Sequence, residues 1–155
     1  MIKLKIRNRY TEIDNINGRQ FSAMAVIIDE MGRVLLLHRL DNPEIKYSNR
    51  WGFPGGGSDA NEEPIQTAIR ETYEETGLRL DAPSLELLYK KTTDKKNVYF
   101  FMTNTYDGDV DPKKVEEEHQ NFAWVDPNDL DMYHTAEDVE HAVRKVFGTN
   151  EFLIG

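Results

Sequence analysis

The 155-residue sequence contains no cysteine. That excludes disulfides, a thiol nucleophile and any cysteine-ligated metal, and it fits a reducing compartment. No stretch approaches the run of about 18 apolar residues that a membrane-crossing helix needs. The opening residues Met1-Ile2-Lys3-Leu4-Lys5 lack the apolar core of a signal peptide, so a cytoplasmic location is expected. Positive charge is also scarce: 19 Lys and Arg stand against 28 Asp and Glu, a net charge of −9. An acidic chain binds nucleic acid and anionic membranes poorly without specific contacts, so neither is an expected partner. A phosphate-bearing substrate would need a metal ion to screen the site. Repeats and linkers are missing too. The length suits a single domain over residues 1–155, enough to bury roughly 70% of its unfolded surface. Monomer and homodimer both remain open.

What is present is concentrated between residues 56 and 78. Gly56 is followed by five residues, Glu62, seven more, and then Arg70-Glu71-Thr72-Tyr73-Glu74-Glu75-Thr76-Gly77-Leu78. The spacing predicts a helix. Asn61 suits its N-cap and Pro64 its first turn. Ile65, Ala68, Ile69 and Thr72 recur at i, i+3, i+4 and i+7 as a buried face, and Gly77 is placed for a left-handed C-cap. Glu71, Glu74 and Glu75 fall on one arc of about 100°, away from that face.

That arc is locally unfavourable. Like charges three or four residues apart repel by about 0.2–0.5 kcal/mol per pair. Glu74 and Glu75 also sit in the last turn, where the helix dipole favours cations. A divalent cation such as Mg2+, which takes oxygen ligands and bridges carboxylates to phosphates, reverses the sign of both effects. A solvated acidic face is the plain alternative. Before the helix runs Arg50-Trp51-Gly52-Phe53-Pro54-Gly55-Gly56-Gly57, a glycine-rich turn whose N–H groups can approach phosphate. Trp51 and Phe53 read as packing residues more readily than as base-stacking ones.

This constellation resembles the Nudix hydrolases, whose signature is G-x5-E-x7-R-E-U-x-E-E-x-G-U, with U aliphatic. Gly56, Glu62, Arg70, Glu71, Glu74, Glu75, Gly77 and Leu78 fall on fixed positions, and Thr72 departs from the aliphatic preference. The W-x-F-P-G-G run before the box extends the resemblance. Downstream, Glu118-His119 stands six residues before Trp124-Val125, similar to an E-H-x-x-x-x-W-V pattern in such chains whose acid reaches the metals or acts as base.

The resemblance implies an α/β/α sandwich with a mixed β-sheet between helices. It implies hydrolysis of a nucleoside diphosphate linked to another group X, with Mg2+ as cofactor and Mn2+ as a substitute. The implied metal-binding and catalytic residues are Glu71, Glu74, Glu75 and Glu118, with Glu71 and Glu118 competing as general base. Arg39, Phe53, Gly55 and Gly56 are the substrate-binding candidates. Glu62, Arg70 and Gly77 are the structural residues of the box, Arg70 pairing with a box carboxylate such as Glu62. His119 reads as a structural hydrogen-bonding residue. In related chains a proline about 15 residues past the box marks ADP-ribose, and a tyrosine about 17 past it marks dinucleotides. Here Thr93 and Lys95 fall in those places, which by default leaves a nucleoside triphosphate pyrophosphohydrolase. The alternatives are a nucleotide-binding module without turnover, or a hydrolase of dinucleotide polyphosphates, nucleotide sugars or RNA 5′ ends. The diphosphate isomerase of this fold uses a cysteine, which this chain lacks.

The remaining chain alternates in type. Residues 21–28 and 34–39 read as strands of a hairpin joined by Asp29-Glu30-Met31-Gly32. Residues 40–49 form a polar loop. Residues 85–93 and 98–103 form a second hairpin, and 121–125 a further strand. Thr135, with Asp138 as its capping-box partner, is expected to cap a last helix whose apolar face is Ala136, Val139, Val143, Val146 and Phe147.

Overall fold

A computed structural model describes residues 20–148. Its elements in chain order are β1 (Ser22–Ile27), β2 (Val34–Arg39), β3 (Trp51–Gly52), β4 (Gly55–Gly57), α1 (Pro64–Thr76), a 3-10 turn (Ala82–Ser84), β5 (Glu86–Thr92), β6 (Asn97–Thr103), α2 (Pro112–Glu118), β7 (His119–Val125), a 3-10 segment (Pro127–Met132) and α3 (Val139–Phe147). The strands form two sheets, ordered β4-β1-β6-β5 and β3-β2-β7. The first is mixed: β1 runs parallel to β6 and antiparallel to β4, and β5 runs antiparallel to β6.

The mixed sheet lies between helices, as expected. On one face Ala23, Ala25, Tyr99 and Phe101 pack with Ala68 of α1 and with Leu35 and Leu37 of β2. On the other, Val26 and Phe100 pack with Val139, Ala142 and Val143 of α3 and with Val34 and Leu36. Alternate residues of β2 thus enter different cores, as its period-2 geometry requires.

The first hairpin is only partly present. Its turn forms, with Gly32 N–H donating to the Asp29 carbonyl, but the bridge pairing is confined to Ile28–Val34, and β1 and β2 then join different sheets. Both strands are apolar on both faces, so no polar alternation specified the partner. The second hairpin, β5–β6, is as expected.

Two caps differ from expectation. The N-cap of α1 is Glu63, not Asn61; Pro64 occupies N1 and the Gln66 side chain accepts from Glu63 N–H at 2.8 Å. Asn61 lies two residues upstream in the left-handed region, at φ 65°. The residue before a proline is held extended, which is what an N-cap needs and what Glu63 adopts. At the other end Gly77 is left-handed, at φ 83°, and its N–H returns to the Tyr73 carbonyl. The last helix begins at Val139 after Asp138, with no side-chain cap. Thr135 does not cap it, because the chain there zips onto β3: Trp51 N–H donates to the His134 carbonyl and Ala136 N–H to that of Trp51.

Candidate active site

The glycine turn lies against the acidic face of α1. Gly55 has φ 148°, and a Cβ there would stand 2.7 Å from Met24 Cα. Its N–H donates to Glu75 Oε1 at 2.8 Å. The sequence offered this N–H to phosphate; the fold gives it to a carboxylate. At Gly56 a Cβ would stand 2.7 Å from Glu71 Cδ. Gly56→Ala is therefore expected to displace the Glu71 carboxylate and cut turnover by about 10-fold or more, the scale of a mispositioned catalytic group. Thermal stability should change much less. Unchanged kcat in this variant would show that Glu71 need not sit where it does.

Arg70 organises the outer side. Its Nε lies 2.7 Å from Glu62 and 3.2 Å from Asp59, and its Nη1 2.9 Å from Glu71 and 3.1 Å from Glu74. Nη2 donates to the Gly57 carbonyl at 2.9 Å. Glu62 also accepts from Asp59 N–H and from Thr67 Oγ1, each at 2.8 Å. The Arg70 hydrogen bond, with these two N–H and O–H donors, holds the Glu62 carboxyl at about 2. A carboxylate whose folded pKa is depressed stabilises the fold above its unfolded pKa of 4.5 and loses that contribution as pH falls towards 2. Solvent screening reduces the full shift to a contribution of about 1–2 kcal/mol at neutral pH. Glu62→Gln should lose a stability of that order at pH 7 and show a flatter decline between pH 5 and 2. Equal acid unfolding curves for the two proteins would refute the clamp.

On the inner side the carboxylates are crowded. Glu75 is 7% exposed, and burial pushes its carboxyl well above the usual range. The Gly55 N–H opposes this, while Glu71 and Glu118 add to it. Glu71 is raised chiefly by burial, against the Arg70 bond, with Glu74 and Glu118 adding repulsion. Glu118 ends α2 with its side chain exposed, yet it is the acid of the 116–118 run that acts on both. Glu74 is exposed beside Arg70.

Arg39 closes the group. It ends β2 at an irregularity in the pairing with β7, its Nε is buried with no hydrogen-bond partner, and its charge acts on Glu75. His119 is buried, with Nδ1 unpartnered, so the hydrogen bond expected of it is not made there. Burial, then Arg39 and His38, lower its pKa to about 4. Phe53, a substrate-binding candidate in the sequence, is a core residue 6% exposed, edge-on to Phe100. Trp51 stacks on His38 at 4.5 Å and stands edge-on to Tyr133.

The structure thus brings Glu71, Glu75, Glu118, Arg39, Gly55 and Gly56 together and turns Glu74 outward. As the side chains stand, among the described residues no three of His, Asp or Glu are arranged to hold a metal ion. The donor chemistry nonetheless fits a hard divalent cation: the acids are all carboxylates, and two of them are raised by burial and mutual repulsion. Sequence reasoning missed Thr67 and the Gly57 carbonyl, which complete the Glu62–Arg70 clamp. The signal for Thr67 was its place one turn before Glu71 on the face towards Glu62.

A family model described as NUDIX domain matches residues 18–146. The chain is 29% identical over 109 residues to a "MutT-like protein" of Streptomyces ambofaciens, covering 70% of this chain and 65% of that one. It is 39% identical over 70 residues to an "RNA pyrophosphohydrolase" of Azorhizobium caulinodans, covering 44% and 41%. The chain therefore spans less than two thirds of the length of these relatives. Among solved structures, the MutT NUDIX hydrolase of Burkholderia pseudomallei is similar with a TM-score of 0.69 at 25% identity, covering 83% of this chain and 98% of that one.

Proposed function

The chain belongs to the Nudix family, and on that premise we propose that it hydrolyses a nucleoside diphosphate linked to another group X, by water attack on phosphorus. Hydrolases of this family are generally dependent on divalent metal. The observation that carries the reading is the crowding of Glu71, Glu75 and Glu118 beside a glycine turn, with the charge of Arg39 acting among them.

Glu71, Glu74, Glu75 and Glu118 would hold Mg2+ or Mn2+, Glu71 and Glu74 releasing Arg70 to do so. Such an ion would supply charge to offset the phosphate oxygens and to acidify the attacking water. Arg39, whose charge already acts on Glu75, would be the cation nearest to a phosphate oxygen held by these carboxylates. Gly55 and Gly56, lacking side chains, let the diphosphate approach the carboxylates. Glu71 is the first candidate for the base, because its raised pKa brings its proton affinity closer to that of the water it must deprotonate. Glu118, exposed at the end of α2, is the second. The substrate that the sequence favours is a nucleoside triphosphate, with dinucleotide polyphosphates, nucleotide sugars and RNA 5′ ends as alternatives.

A panel of these compounds with Mg2+, read by product identification, tests the proposal. Release of a nucleotide and a phosphate fragment from at least one supports it. No turnover of any would favour a binding module. Glu118→Ala should cost about 10-fold or more in kcat, and Glu116→Ala or Glu117→Ala little. Three equal small effects would remove Glu118 from the site.

A further inference from the structure

Tyr73 occupies a position that the signature leaves open, between Thr72 and Glu74. Two cations face its half-buried ring in the structure. Arg79 Cζ and Lys114 Nζ each lie 4.7 Å from the ring centroid, and Arg79 Nη2 stands 3.5 Å from the Tyr73 hydroxyl. Arg79 is fixed by its backbone, which exchanges hydrogen bonds with that of Asp107 at 3.1 and 3.0 Å. Lys114 belongs to α2, so its contact ties the last turn of α1 to the helix that ends in Glu118.

The same seam is held at two more points. Asp111 N–H donates to the Thr76 carbonyl at 2.8 Å. A Cβ at Gly77 would stand 3.3 Å from Asp111 Cβ and 3.4 Å from Lys114 Cδ, so the bare glycine is what lets α2 sit this close. Lys114 and Glu118 are four residues apart on one face of α2, a spacing at which lysine and glutamate ordinarily pair. Among the described residues Lys114 makes no ion pair, and its ammonium lies over the Tyr73 ring instead. Lysine before glutamate is the weaker order of such a pair, and an aromatic face attracts an ammonium more strongly. The Glu118 charge is thereby left to act on Glu71 and Glu75. Beyond Glu118, His119 pairs with Arg39 and Gln120 Nε2 donates to the Arg39 carbonyl at 2.8 Å, so the acid is held from both sides along the chain.

We propose that Tyr73 is a positioning residue for Glu118: by holding Lys114 over its ring it seats α2 on α1 and keeps the lysine from capturing the Glu118 carboxylate. This rests on the diphosphate hydrolysis proposed above and gives that site's downstream acid a support inside the acidic helix itself. The ring face is what the ammonium needs, so phenylalanine serves in place of tyrosine and alanine does not.

The test compares Tyr73→Phe, Tyr73→Ala, Glu118→Ala and the double variant Tyr73→Ala/Glu118→Ala, each checked for a parent-like melting curve, with Tyr73→Leu replacing the alanine variant if that one melts early. On the best substrate Tyr73→Ala should lower kcat about 5-fold with KM within about 2-fold, the scale of a modestly displaced catalytic group. Tyr73→Phe should keep both within about 2-fold of the parent. On the Glu118→Ala background, Tyr73→Ala should add less than about 2-fold, because no carboxylate remains to be placed. A loss that repeats in full on that background overturns the proposal, as does an alanine variant as active as the parent, or a phenylalanine variant as impaired as the alanine one. Hydrogen exchange decides the seam apart from turnover: amides of residues 113–118 should exchange faster in Tyr73→Ala and at the parent rate in Tyr73→Phe, with β1 and β6 unchanged in both. If the parent turns over nothing, the hydrolysis fails; if exchange over 113–118 is the same in parent and alanine variant, the seam fails.

Discussion

Glu75→Gln is expected to lower kcat by at least about 100-fold while leaving the protein folded, the scale reported for loss of one charge-stabilising group. Glutamine keeps the size of the side chain and an oxygen to accept the Gly55 N–H, so the link between α1 and the glycine turn survives. What is lost is a charge that the fold holds at 7% exposure next to Glu71 and Glu118. A buried carboxylate whose pKa is raised makes the metal-free fold less stable as pH rises. The variant should therefore be at least as stable as the parent in chelator at pH 7. Parallel kinetics and melting curves check both halves. Glu74→Gln should also reduce kcat, and the comparison is informative because Glu74 is exposed and shared with Arg70. Near-normal turnover by both variants would remove the acidic face from the reaction.

Added Mg2+ is expected to raise the melting temperature of the parent. Metal held only by the native state stabilises it by RT ln(1 + [L]/Kd), about 2.7 kcal/mol at 100-fold excess over Kd. For a chain of this size that corresponds to roughly 5–10 °C. The effect arises because Glu71 and Glu75 are raised by burial and by neighbouring carboxylates, Glu118 among them for both, a penalty that a cation relieves. In Glu75→Gln the increment should shrink to a fraction of the parent value. Scans with chelator and with Mg2+, on both proteins, make the comparison. A melting temperature indifferent to Mg2+ in the parent would mean that the free protein does not hold the ion.

The helix, its Pro64 start and its Gly77 end were legible because each follows from one residue's backbone preference. So was the Glu62–Arg70 pair, which fixed spacing places together across the turn. The burial of Glu75 was not. A helical wheel puts it on the acidic arc, and β4, whose glycines carry no side chains, comes close enough for Gly55 N–H to bond it. Strand partners were illegible for a related reason: β1 and β2 are apolar on both faces, and alternation is what would have told one partner from another. The Asn61 cap was misread although its correction was in the sequence, since a proline at N1 fixes the cap one residue before it.

The central claim is that this carboxylate site directs water onto phosphorus with the help of a divalent ion. Turnover of the best substrate in 18O-labelled water, with Mg2+ and with chelator, tests it most directly, the label being located in the products by mass spectrometry. The account predicts 18O in a phosphate or phosphate-bearing product, only when Mg2+ is present, and loss of that signal in Glu75→Gln. Label appearing in a sugar hydroxyl, or label entering phosphate equally well in chelator, would contradict it.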